Sequence, residues 1–404
     1  MTQAAQLAAD PAARLAALLA ARTEANARFF DAEAERLARL CHLMAERFAR
    51  GGRLIAFGWS PAARSDARHV AVEFVHPVIV GKRALPAIGL AGEGGALATQ
   101  VALLARPDDI AMAFGAGGSD GGGREAAAAI ALARERKCLT IAFGSDPAHP
   151  AEWEFCPPTS DGDVAQELVE TLYHVLWELV HVFFEHRGLL SGRSERRAHD
   201  AGASSFLYPF LDEREDALEP VVQDVRRSVL AKAADIGELR AQTLTENAGV
   251  IAGAADELRA RFEDGGKLLA LGNGGSATDA MDVVADFRAA GRAAVDLTED
   301  PAILTAIAND IGTEAIFSRQ VIAYGAGGDV LLALSTSGNS ANVIAALAEA
   351  RRRGLLTIAM VGYDGGRIAA EGLADHVVVS RSQHIPRIQE AQASAYHALV
   401  ELTA

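Results

Sequence analysis

Short apolar runs recur along the chain, and stretches of helical periodicity lie between them. Gly51-Gly-Arg-Leu-Ile-Ala-Phe-Gly58, Asp109-Ile-Ala-Met-Ala-Phe114 and Cys138-Leu-Thr-Ile-Ala-Phe-Gly144 each read as a buried strand. So do Gly265-Gly-Lys-Leu-Leu-Ala-Leu-Gly272, Asp329-Val-Leu-Leu-Ala-Leu334 and Leu355-Leu-Thr-Ile-Ala-Met-Val-Gly362. Ala/Leu/Arg/Glu-rich segments over roughly 10–50 and 215–264 predict long helices ahead of the first strand of each series. Strands alternating with helices argue for parallel sheets covered on both faces.

The two series are copies of one another. Gly51–Gly58 matches Gly265–Gly272, and the second and third strands match in the same order. Gln166-Glu167 with Tyr173-His174 matches Gln389-Glu390 with Tyr396-His397 at identical spacing. Four anchors in one order indicate duplication and fusion. The polar, small stretch Ser191–Ser205 has no sustained period and reads as a linker. The expected organisation is therefore one domain over 1–190, a linker over 191–212 and a second domain over 213–404.

Composition narrows the function. The 404 residues carry a formal net charge of −15, which argues against a nucleic-acid binder, since that would need a basic face. Three scattered cysteines suit neither a disulfide framework nor a cysteine-based zinc site. No apolar stretch approaches the length of a membrane span, and the N-terminus has no signal-peptide core. The expectation is a cytoplasmic protein without nucleic-acid or membrane partners.

Ser335-Thr-Ser-Gly-Asn-Ser340 leaves a strand and opens a helix. Helix-start N–H groups favour an anion, four hydroxyls add donors, and Gly338 permits a tight turn. Gly272-Asn-Gly-Gly-Ser276 forms a second strand-to-helix loop. Together they suggest two strand ends closing on one phosphosugar.

With Thr305-Ala-Ile-Ala-Asn-Asp310, Gly362-Tyr-Asp-Gly-Gly366 and Arg387-Ile-Gln-Glu390 plus His397, these loops make residues 265–400 resemble the sugar isomerase (SIS) fold, and within it the phosphoheptose isomerases. The resemblance implies two tandem α/β SIS domains, each a Rossmann-like three-layer sandwich. It implies that Ser335, Thr336, Ser337 and Ser340 hold a phosphate, with Asn273, Ser276, Asp310 and Gln389 contributing to the sugar site. It also implies aldose–ketose isomerisation of a phosphosugar, sedoheptulose 7-phosphate to a heptose 7-phosphate, through an enediol.

The family's catalytic helix carries Asp-Ala-x-His-x-x-x-Glu. The first half has Asp66-Ala-Arg-His69-Val-Ala-Val-Glu73, whereas the second has Asp282 and Asp286 at the His and Glu positions. By resemblance, His69, Glu73, Gln166 and His174 form a site for zinc or a similar divalent metal, with Glu73 as base and His174 as acid. The second-half counterparts are Asp282, Asp286, Gln389 and His397. In the first half the two loops have become Trp59-Ser-Pro-Ala62 and Gly115-Ala-Gly-Gly-Ser-Asp120, and the hydroxyls are nearly gone. Two arrangements stay open: one composite site drawing on both halves, or two unequal sites. A different class of function is open too, a non-catalytic sugar-phosphate sensor or interaction scaffold. Fusion of two SIS units further suggests a homodimer of tandem chains.

Overall fold

In a computed structural model of the chain, residues 11–78, 82–90, 96–116, 121–186, 189–190 and 217–403 are described. The expected linker, 191–212, lies outside them. Two compact units are present, Ala25–Ala234 (the first unit) and the chain up to Glu24 with Asp235–Ala404 (the second unit).

The first unit holds most of helix α1 (Pro11–Ala49), then β1 (Leu54–Gly58), α2 (Pro61–Val75), β2 (Ala87–Leu90), α3 (Leu97–Leu104), β3 (Ile110–Phe114), α4 (Gly121–Glu135), β4 (Leu139–Phe143), β5 (Trp153–Phe155) and α5 (Gly162–Glu185). It closes with the first part of α6 (Leu218–Glu246). The second unit continues with α7 (Ala248–Glu263), β6 (Leu268–Leu271), α8 (Gly275–Ala289), β7 (Ala294–Asp296), α9 (Pro301–Asp310), a 3-10 turn (Thr313–Ala315), α10 (Ser318–Tyr324), β8 (Val330–Ser335), α11 (Ala341–Arg352), β9 (Leu356–Gly362), α12 (Gly366–Ala370), β10 (His376–Ser380) and α13 (Ile385–Thr403).

The unit boundaries differ from the expected 1–190 and 213–404, because α1 and α6 each contribute to both units. Phe29, Phe30 and Leu37 of α1 share the first unit's core with Val221, Val225 and Val229 of α6. Leu15 packs instead with Leu244, Ile251 and Leu258 of the second unit. A helix of 39 residues is about 60 Å long, more than the span of one small domain, so a single core cannot bury its apolar stripe.

Both sheets are five-stranded and parallel, in the orders β2-β1-β3-β4-β5 and β7-β6-β8-β9-β10. The topologies are identical strand for strand, as duplication requires. In each sheet the order reverses between the first and third strands (β1/β3 and β6/β8), so the helices that follow them cover opposite faces. A crevice opens beyond the C-terminal ends at that switch point, where open α/β sheets bind ligands.

The same side-chain clamp recurs at the opposite end. Asp109 accepts from Arg53 N at 2.9 Å and pairs with Arg53 Nη2 at 2.7 Å. Asp329 accepts from Lys267 N at 3.0 Å and pairs with Lys267 Nζ at 2.6 Å. Both carboxylates are nearly buried and also cap the preceding turn, at Arg106 N and Ala326 N. Replacing either with alanine leaves several backbone and cationic donors without their acceptor. Asp109→Ala and Asp329→Ala should each cost about 2–4 kcal/mol, read as an earlier urea midpoint for the unit concerned.

Candidate functional site

In the second unit the expected phosphate loop occupies the switch point. Ser335 ends β8, and its hydroxyl accepts from Gly338 N at 3.2 Å and lies 3.5 Å from Ser340 Oγ. Ser337 Oγ accepts from Asn339 N at 3.2 Å. Ser340 is the N-cap of α11, yet its hydroxyl makes no capping bond, so the helix start keeps the electropositive character that suits an anion. Ser337 and Asn339 line an open cleft with Tyr363, Asp364 and Arg381.

The loop is held in shape by the Gly362–Gly366 turn. Gly362 N donates to Thr336 O at 3.0 Å, and Ile368 N donates to Gly338 O at 3.1 Å. Gly338 has φ +62°, and a Cβ there would lie 2.2 Å from Gly365 O. The Gly272–Ser276 loop is joined to α11 by a reciprocal amide pair. Asn273 Nδ2 donates to Asn342 Oδ1 at 3.0 Å, and Asn342 Nδ2 donates to Asn273 Oδ1 at 2.9 Å. Ser276 is buried in the first turn of α8. Asp310 is exposed at the end of α9, where Asn309 Nδ2 donates to its carboxylate. Gln389 and His397 are buried on α13, and His397 Nε2 lies 3.6 Å from Asp286 Oδ2. Asp282 Oδ2 accepts from Tyr396 Oη at 3.5 Å.

The first unit has lost this geometry. Ser60 caps α2, its hydroxyl accepting from Ala63 N. Trp59 stands where Asn273 stands in the second unit, directly after the first strand. A Cβ on Gly122 would fall 2.4 Å from Trp59 Cδ1, so the indole lies against the first turn of α4. An aromatic ring thus lies beside the first turn of α4, where the second unit has the Asn273–Asn342 amide pair. Residues 117–120 of the degenerate loop lie outside the described residues.

The first unit carries a different cluster, where α2 packs on α5. His69 Nε2 and His174 Nε2 are 3.3 Å apart, and both rings are buried. Burial, reinforced by His174, holds the His69 pKa well below its ordinary value, so that imidazole is neutral at pH 7. Glu73 Oε1 stands 3.9 Å from His69 Nε2. Gln166 is half-buried on α5. The third member that converges with the two histidines is Glu170: ligand atoms of His69, Glu170 and His174 all lie within 4.8 Å of one another. Glu170 is not among the sequence candidates; its only signal in the sequence is the four-residue step to His174 on one helix face.

This donor set fits a divalent metal. Two nitrogens held about 2.0–2.1 Å from one tetrahedral zinc stand ~3.3–3.4 Å apart, the spacing of the two Nε2 atoms. Neutral imidazoles and a carboxylate are the ligands such an ion takes.

The SIS domain family matches residues 233–362. The chain is 42% identical over 174 residues to the phosphoheptose isomerase of Pelodictyon phaeoclathratiforme, covering 41% of this chain and 82% of that protein. It is 44% identical over 183 residues to that of Desulfovibrio desulfuricans, covering 43% and 85%. The chain belongs to the phosphoheptose isomerase family. Its fold over nearly the full length is that of double-SIS proteins. The C-terminal domain of glucosamine-fructose-6-phosphate aminotransferase from Francisella tularensis superposes with a TM-score of 0.61 at 10% identity, covering 96% of this chain and 93% of that one. Among the described residues no helix is long and apolar enough to cross a membrane.

Gly338→Ala forces an L-residue into left-handed backbone against Gly365 O. It should weaken binding of inorganic phosphate by roughly 5- to 150-fold, since such strain costs about 1–3 kcal/mol. Calorimetric titration of wild type and variant checks this.

Proposed function

We propose that the chain is a phosphosugar aldose–ketose isomerase, interconverting sedoheptulose 7-phosphate and a heptose 7-phosphate through an enediol. The observation that carries this reading is the Ser335–Ser340 loop, built at the switch point in a chain of this family. Ser335, Thr336, Ser337 and Ser340 bind the phosphate, and Asn273, Ser276, Asp310 and Gln389 serve the sugar. Within the first unit, Glu73 is the base and His174 the acid of the proton transfer between neighbouring carbons. His69 and His174, with a buried carboxylate beside them, would hold zinc or a similar divalent ion. When bound, such an ion supplies a Lewis acid for the sugar's carbonyl and hydroxyl oxygens. Burial and water exclusion keep Glu73 and His174 where proton positions are well defined. In the second unit, Asp282 and Asp286 are each one methylene shorter than a glutamate. Displacement of a catalytic oxygen by about an ångström can cost ~100-fold in rate, which favours the first unit's pair for the chemistry. The expected assembly is a homodimer and the expected compartment the cytoplasm.

A second reading follows from the same division. The unit with the intact phosphate loop has aspartates at the catalytic helix, so the chain could bind phosphosugar as a sensor without turning it over. Turnover of sedoheptulose 7-phosphate in deuterated water separates the two. The isomerase reading expects product and deuterium at the substrate carbon. It also expects kcat to fall ~100-fold or more for Glu73→Gln, and KM to rise for Ser337→Ala. Binding without turnover or exchange in the wild type establishes the sensor instead.

A further inference from the structure

We infer that Glu170 is the carboxylate ligand of a divalent-metal site formed with His69 and His174, and that Glu73 stands beside this site as a proton-transfer group. This deepens the isomerase reading and rests on it only for the use to which the metal is put.

The geometry is the argument. Gln166, Glu170 and His174 recur every four residues along α5 and share one helix face. His69 and Glu73 are related in the same way on α2. Where these faces meet, the three ligand atoms within 4.8 Å of one another belong to His69, Glu170 and His174. A hydrogen bond between the two imidazoles would account for the 3.3 Å histidine pair alone. A carboxylate also converges on both rings, with all three side chains at most 4% exposed. Two imidazoles and a carboxylate are ligands that a divalent ion takes together.

Two imidazoles and one carboxylate make a three-point set that leaves a coordination position for an oxygen of a substrate or water. Glu170 also removes a conflict of roles. With Glu170 as the carboxylate ligand, Glu73 serves as base alone, while His174 ligates through one ring nitrogen and carries the acid's proton on the other. The second unit has no equivalent. In the register that aligns Gln166 with Gln389 and His174 with His397, Glu170 falls on Ala393. Among the described residues the three-ligand cluster lies in the first unit.

The test is cobalt(II) titration of the full chain after chelator treatment, followed by visible absorption and by metal content. Wild type should bind one cobalt per chain, with the absorption bands of a low-coordinate nitrogen/oxygen site. Glu170→Gln, nearly isosteric, should lose affinity by more than ~100-fold, the upper end of what loss of an outer-shell partner costs. Asp286→Asn, in the other unit, should stay within about threefold of wild type, and Glu73→Gln should lose clearly less affinity than Glu170→Gln, because it removes a nearby charge but no ligand. Should Glu170→Gln fail to fold by circular dichroism, Glu170→Asp keeps the charge and should bind cobalt with shifted bands. Unchanged affinity in Glu170→Gln, unshifted bands in Glu170→Asp, or loss of cobalt in Glu73→Gln comparable to that in Glu170→Gln would overturn the assignment. Failure of the isomerase reading looks different: cobalt binds in a Glu170-dependent way while sedoheptulose 7-phosphate is neither turned over nor exchanged.

Discussion

A helix buried on every side has no solvent face on which to place polar side chains, and each unit is built around one. α13 is buried along almost its whole length yet carries Arg387, Gln389, Glu390, Gln392, Ser394 and His397. α5 buries Glu167, Glu170, Thr171, His174, Glu178 and His181. Each such group costs stability unless the surrounding elements supply a partner. The same helix, a neighbouring helix or an adjoining loop therefore answers these groups on α13 and α5 with specific partners. Arg387 pairs with Glu390 at 2.9 Å, and the buried Arg240 of α6 donates to Ser394 Oγ at 3.1 Å. His181 bonds the Trp177 and Arg83 carbonyls, and its pKa is lowered to about 4 by burial first and then by Lys82. Polar groups kept inside a core under this constraint are pre-positioned and shielded from water. That is the environment in which a metal or an acid/base pair is effective.

The second constraint is topological. The strand order opens a crevice at the C-terminal ends of β1/β3 and of β6/β8, and duplication placed the same opportunity in both units. They have used it differently. In the second unit the Asn273–Asn342 amide pair and the turn at Gly362–Gly366 hold a hydroxyl-rich loop over a helix start. In the first, Trp59 lies against the corresponding helix start and Ser60 spends its hydroxyl on capping α2. The chemistry retained is complementary: the first unit keeps the imidazoles and long carboxylates, the second the anion loop.

Much of this was legible in the sequence. Parallel strands buried on both faces are continuous apolar runs, so β1, β3, β4, β6, β8 and β9 could be read directly, and their repetition exposed the duplication. The serine loop was legible because its hydroxyls and Gly338 have no other common use at a strand end. The sharing of α1 and α6 between units was not. Both helices carry apolar positions along their full length, and sequence alone does not say which core each stretch buries. Glu170 was missed for a related reason. Comparison of the halves directs attention to what they share, and Glu170 faces Ala393 in that comparison. Trp59 showed only as a lost asparagine; its packing on Gly122 depends on tertiary structure.

Divergence of this kind has a physical direction. After duplication, the Ser335–Ser340 loop tolerates little change, since its shape depends on backbone conformation: a Cβ at Gly338 would meet Gly365 O at 2.2 Å. A metal cluster on two packed helices is more forgiving, because a ligand lost from one turn can be replaced from the next turn of the same face. The steps Gln166, Glu170, His174 along α5 offer that redundancy, and the His69–Glu73 step on α2 offers it from the opposite side. The first unit's cluster of His69, Glu170 and His174, set on two helix faces, has that freedom. The second unit, holding the loop, accepted aspartates at 282 and 286, where His397 and Tyr396 now contact them. Constraint on the backbone and freedom along a helix face together account for which chemistry each copy kept.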